Sequence, residues 1–301
     1  MAVRLGINPI GWSNDDLPEL GGHIPLEQCL AEARLAGYSG IEKGGKFPND
    51  PALLRPLLDR YGLALVGGWF SGELRARSLE EEKARIADHL RLLRAMDASV
   101  VVYAETTGTV QGAIDTPVSA RPTMPEEEFP AYGERLTALA EWLAAEGCPM
   151  AFHHHMGTVI EREAEIDLLM RHTGEAVGLL LDTGHLLFAG GNIEATTRRW
   201  RSRIAHVHLK NIRPRVLRRL REEDWSFLRG VIEGVFTVPG DPEGAIDFAS
   251  FLQILGEGGY AGWLVVEAEQ DPAKANPLDH ARLAHDTVVA ALGPAGLELQ
   301  G

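Results

Sequence analysis

The sequence predicts an α/β fold, a (β/α)8 TIM barrel, formed as a single domain over residues 1–301. Eight short runs rich in Val, Ile and Leu recur without strict polar alternation, as suits parallel strands buried on both faces. Amphipathic stretches lie between them, so strand and helix alternate eight times. There is no internal repeat and no low-complexity linker. A doubly wound open sheet is the alternative arrangement of the same elements.

The strands are expected at residues 3–8, 40–42, 63–67, 100–104, 149–153, 177–182, 204–209 and 263–267. The first helix, 25–36, has Pro25 near its start and Gly37 at its end. The second, 50–61, ends before Gly62. The third, 78–96, opens with Ser78 and Glu81 at capping-box spacing. Helices follow at 125–146, 161–172, 192–201, 247–255 and 278–292. Two connections, 106–124 and 211–246, are longer than a barrel needs, and such loops are usually lids or binding loops. The second holds Arg213, Arg215, Arg218, Arg219 and Arg221 beside Glu222, Glu223 and Asp224. That pattern reads as a solvated helix face, with an anion-facing or subunit-facing lid as the sharper alternative.

Composition narrows the function classes. Lys and Arg number 29 against 43 Asp and Glu, a formal charge of −14, which opposes a nucleic-acid partner. Cys29 and Cys148 are too few and too far apart for a disulfide framework, so a reducing cytoplasm is expected. The first ten residues lack the features of a signal peptide, and no apolar run approaches the roughly 18 residues that span a bilayer. A soluble protein without a membrane partner is expected.

In a barrel, function gathers at the C-terminal ends of the strands. The residues there are Asn8 and nearby Trp12; Glu42, Lys43 and Lys46; Trp69; Glu105; His153, His154 and His155; Asp182 and His185; His206, His208 and Lys210; and Glu267 and Glu269. Six of the eleven histidines fall at three of these ends. Burying such groups unpaired is costly, and a divalent cation is the usual compensation. Strand parity puts His206 with His208, His153 with His155, and Glu267 with Glu269. Mixed imidazole and carboxylate ligands suit manganese, cobalt, iron or zinc. A zinc-protease helix, a P-loop and a nucleophile elbow are all missing. Gly256-x-Gly258-x-x-Ala261 precedes a strand instead of following one, so it reads as turn glycines.

Several segments resemble the xylose-isomerase-like barrels: Gly37-Tyr38-Ser39-Gly40-Ile41-Glu42, Leu181-Asp182-Thr183-Gly184-His185, His206-Val207-His208, and Gly259-Tyr260-Ala261-Gly262-Trp263 running to Glu267. Others resemble the inosose dehydratase family within that group. These are Asn8-Pro9-Ile10-Gly11-Trp12-Ser13-Asn14-Asp15-Asp16, Glu42-Lys43-Gly44-Gly45-Lys46-Phe47-Pro48, Phe152-His153-His154-His155-Met156-Gly157-Thr158, Phe236-Thr237-Val238-Pro239-Gly240-Asp241, and Glu267-Ala268-Glu269-Gln270-Asp271-Pro272. The resemblance implies a metal-dependent hydro-lyase that removes water from 2-keto-myo-inositol to give a trihydroxycyclohexane-dione in inositol catabolism. It also implies manganese or cobalt, with glutathione as a further cofactor, and its relatives often form homo-oligomers. A ketose epimerase or isomerase is the alternative, because it uses the same metal-enolate chemistry.

Carried over by residue, the implied metal ligands are Asp182, His206 and Glu267, with His153 at the position of the usual fifth-strand Glu. Otherwise His155, a water or Glu269 supplies the fourth ligand. His185, Lys43 and Glu42 are expected to be catalytic. Asn8, Trp12, Lys46, His154, His155, His208, Lys210 and Glu269 are expected to surround a polyol or ketose substrate.

Overall fold

The computed structural model describes residues 1–300. Eight parallel strands form a closed barrel: β1 (Ala2–Ile7), β2 (Gly40–Lys43), β3 (Ala64–Gly72), β4 (Val100–Glu105), β5 (Met150–His153), β6 (Gly178–Asp182), β7 (Ile204–Leu209) and β8 (Gly262–Val266). Each strand pairs with its sequence neighbour, and β8 pairs back onto β1 from Val3–Gly262 to Ile7–Val266. That closure excludes the open doubly wound sheet.

The helices are α1 (Leu26–Leu35), α2 (Pro51–Tyr61), α3 (Leu79–Ala95), α4 (Phe129–Ala145), α5 (Glu163–Arg171), α6 (Thr183–Phe188), α7 (Ile193–Trp200), α8 (Pro214–Glu222), α9 (Phe227–Ile232), α10 (Phe248–Glu257) and α11 (Pro277–Leu292). Ser78 caps α3 in a reciprocal capping box with Glu81. No helix among the described residues is long and apolar enough to cross a membrane. The long connection 211–246 is structured. It contains α8, α9 and a two-stranded ribbon pairing Asn211–Ile212 with Phe236–Thr237. Arg213 ties it together, donating to the Gly234 carbonyl at 2.9 Å and to Asp241 at 2.5 Å. Arg215, Arg218, Arg219 and Arg221 are exposed.

The main core lies between the helices and the outside of the barrel, where Leu30, Leu54, Ile86, Leu136 and Val288 meet Leu5, Ile41, Val101 and Leu264. Two smaller clusters fill the barrel itself. One is Val66, Trp263 and Val265; the other is Val100, Val102, Ala151 and Leu180, with Trp69 against it. A Cβ at Gly40 would lie 2.5 Å from both Trp263 and Val66, so the indole of Trp263 takes the space a β2 side chain would fill. Continuing the inward-facing alternation to the strand ends brings up Asn8, Glu42, His153, Asp182, His208 and Glu267. Apolar side chains plug the lower barrel, and polar ones crown it.

Candidate active site

A cavity of about 240 Å3 opens at the C-terminal ends of the strands. Asn8, Glu42, Lys43, Trp69, His153, His155, His208, Glu267 and Glu269 border it, joined by Asp15, Asp16, Ser71 and Gln111. Asp15, Asp16 and Gln111 come from loops, and strand-end reasoning did not single them out. The adjacent acidic pair Asp15-Asp16 was the available signal.

His153, Asp182, His208 and Glu267, all buried, each offer a ligand-type atom within 4.8 Å of the others. His153 Nε2 is 3.8 Å from Asp182 Oδ2, and His208 Nδ1 is 3.4 Å from Asp182 Oδ2 and 3.0 Å from Glu267 Oε2. His153 Nδ1 is held by the His154 carbonyl, which leaves Nε2 with its lone pair facing the set. Burial, with His208 beside it, depresses the His153 pKa well below the usual imidazole range, so it stays in the neutral, ligating form. Asp182 Oδ2 and His208 Nδ1 are buried and make no hydrogen bond. Orphaned polar atoms in a cluster of imidazoles and carboxylates fit a divalent cation.

The structure groups His208, and not the expected His206, with His153, Asp182 and Glu267. Both histidines point into the barrel. His206 lies two residues earlier on β7, about 6.6 Å deeper along the strand. There its Nε2 meets Glu42 Oε1 at 2.8 Å. Parity chose the face correctly, but it carries no depth.

Glu42 links the two layers. Its Oε1 also accepts from His208 Nε2 at 3.1 Å, and its Oε2 accepts from Asn8 Nδ2 at 2.7 Å. The same Asn8 amide donates to Glu267 Oε2 at 3.0 Å. On the opposite side, Lys210 Nζ is fully buried against Glu267, Glu269, Asp182 and His185. Burial raises the Glu269 pKa above the usual carboxylate value, against the pull of Lys210, whose single ammonium serves three acidic groups. Burial likewise lowers the His155 pKa to about 3, and Lys210 adds to this, so His155 is neutral. Half-buried Lys43 is lowered by burial, with Asp15 opposing the shift. The Trp69 ring stands edge-on to His153 and His155, at centroid distances of 5.5 and 5.2 Å.

Four expected substrate contacts, Trp12, Lys46, His154 and Lys210, lie away from the cavity. Trp12 is buried, and its Nε1 donates to Glu32 at 2.6 Å. Lys46 Nζ donates to the carbonyls of Gly22 at 3.0 Å and Ile24 at 2.5 Å. His154 alternates to the outside of β5 and accepts from the Asp182 amide at 3.2 Å. The expected catalytic His185 is fully buried behind His155, with a ring separation of 4.0 Å, and neither it nor Lys210 borders the cavity.

The family model described as "xylose isomerase-like TIM barrel" matches residues 30–286. The chain is 51% identical to the "Rhizopine catabolism protein MocC" of Rhizobium meliloti, covering 99% of this chain and 91% of that protein. It is 46% identical to the inosose dehydratase of Geobacillus thermodenitrificans, over 93% of this chain and 94% of that one. Among solved structures, the "IOLI protein with a binding zinc atom" shares the fold, with a TM-score of 0.66 and 17% identity over 97% of this chain and 98% of that one.

Proposed function

The chain belongs to the xylose isomerase-like TIM barrel family, and we propose that within it the protein is an inosose dehydratase, a hydro-lyase acting on 2-keto-myo-inositol. One observation carries this reading: 46% identity to an inosose dehydratase extends over 93% of this chain and 94% of that one. His153, Asp182, His208 and Glu267 would hold one divalent cation, and manganese or cobalt suits this mixed donor set. When bound, the cation supplies stabilisation of the negative charge that develops on a ketone oxygen.

The chain's own residues supply the proton chemistry. Lys43, half-buried on the β2 wall, takes the proton α to the ketone through its neutral amine. Glu269, just beyond β8 and bordering the cavity, protonates the departing β-hydroxyl from a carboxyl whose pKa burial raises to about 7. One C–H and one C–O bond break, water leaves, and the resulting enol tautomerises to the diketone. Trp69 covers the apolar ring face and excludes water, while Asn8, Asp16 and Gln111 have the polarity to bind hydroxyl groups. Buried, unpaired Cys29 and Cys148 suit a reducing cytoplasm.

The test is to incubate Mn2+- or Co2+-loaded protein with 2-keto-myo-inositol, with and without glutathione, and follow the ultraviolet absorbance of the diketone. Diketone formation is expected. Inactivity on the inosose, combined with turnover of a ketohexose, moves the assignment to epimerase.

A further inference from the structure

A second convergence of ligand-type atoms adjoins the four-residue set. His155, His185 and Glu269, all buried, each offer an atom within 4.8 Å of the others. Lys210 Nζ sits among them, 2.9 Å from His185 Nε2 and 2.9 Å from Glu269 Oε2. The same ammonium is 2.6 Å from Glu267 Oε1 and 3.6 Å from Asp182 Oδ2. Glu267 and Asp182 also belong to the first set. Two carboxylates therefore face two adjoining compartments, as carboxylates do between the ions of two-metal centres, which lie roughly 3.5–4 Å apart.

The local sequence is shaped around this ammonium. A Cβ at Gly184 would lie 2.4 Å from Lys210 Cγ, so the lysine stem crosses bare backbone there. The Thr183 hydroxyl donates to the Lys210 carbonyl at 2.7 Å. The Phe236 ring lies 4.9 Å from Nζ. Asp182, Thr183, Gly184 and His185 thus each meet Lys210.

Granting the four-residue ligand set proposed above, we propose that Lys210 is a built-in second cation. The chain takes one divalent ion at His153, Asp182, His208 and Glu267, and Lys210 Nζ fills the neighbouring compartment. Replacing Lys210 with a small neutral residue opens that compartment as a second metal site, made by His155, His185 and Glu269 with Glu267 shared. An ammonium neutralises the carboxylates but has no vacant coordination position, so it cannot hold and activate a water as a second metal would. This suits proton transfer beside a ketone and disfavours two-metal hydrolysis.

The test reads metal stoichiometry without substrate. Chelator-stripped wild-type and Lys210→Ala chains are brought to equilibrium dialysis against Mn2+, then analysed for metal content and by Mn2+ electron paramagnetic resonance. The wild type should hold about one ion per chain with an isolated-ion spectrum, and Lys210→Ala about two with an exchange-coupled spectrum. Adding Glu269→Gln to Lys210→Ala should return the count to about one. Two ions in the wild type, or one in folded Lys210→Ala, overturns the proposal. No ion in the wild type instead sinks the ligand set itself. If Lys210→Ala folds only when refolded in Mn2+ and then carries two ions, the proposal stands; failure to refold at every Mn2+ concentration overturns it.

Discussion

Glu42 Oε1 lies 3.1 Å from His208 Nε2, and this contact fixes which end of the imidazole faces the cavity. With Nε2–H donating to Glu42, Nδ1 is the nitrogen turned toward Asp182 and Glu267, where a cation would take the place of its proton. Glu42→Gln should therefore weaken divalent-ion binding by about 10–100-fold, as loss of the partner that orients a ligating histidine does. Competition with a chromogenic chelator measures it, and unchanged affinity would show that Glu42 does not orient His208.

The two β7 histidines should separate cleanly. His208→Ala should abolish stoichiometric Mn2+ binding. His206→Ala should retain it and lower thermal stability, because a buried partner of Glu42 is lost. Metal analysis and melting curves on the two variants decide this. The reverse pattern would restore His206 as the ligand.

Lys43 gives the reaction a pH signature. Burial lowers its pKa from the ordinary value of 10.5, and Asp15 opposes that shift. A base must be deprotonated, so kcat should rise with pH and level off below that ordinary value. Asp15→Asn removes the opposing charge and should move the rise to lower pH. Lys43→Met should lower kcat by about 10²–10⁴-fold and remove this limb from the profile.

Trp12 should matter for stability but not for turnover. Trp12→Phe loses the hydrogen bond to Glu32 and should cost about 1–3 kcal/mol in denaturant unfolding, with kcat/KM nearly unchanged. A selective loss of kcat/KM would return Trp12 to the substrate wall.

At the bottom of the barrel, Gly40→Ala should destabilise by about 1–3 kcal/mol, since its methyl meets Trp263 and Val66 at 2.5 Å. Chemical denaturation measures the loss, and Trp263→Phe in the same chain should relieve part of it.

The barrel was legible because its signals are local. Val-rich runs such as 100–104, the Ser78–Glu81 cap and Gly62 after α2 each bias their own few residues toward strand, helix start or helix stop. The donor groups of the crown were legible too, since the strand ends rich in His, Asp and Glu do meet in one place. Depth and direction were not. His206 and His208 look alike in an alternating strand, and only the stagger of β7 against β2 brings Glu42 between them. His154 and His155 differ by a single step of the pleat, which sends one outward and the other to the cavity. Lys46 follows Glu42 closely in the chain, yet the turn at 44–47 carries it to the carbonyls of Gly22 and Ile24. The sequence by itself determined the fold and the kind of site, because these follow from short-range pattern and donor chemistry. Tertiary structure alone decided which donors share one point in space, because that depends on contacts between residues of different strands and loops, 164 positions apart for Glu42 and His206.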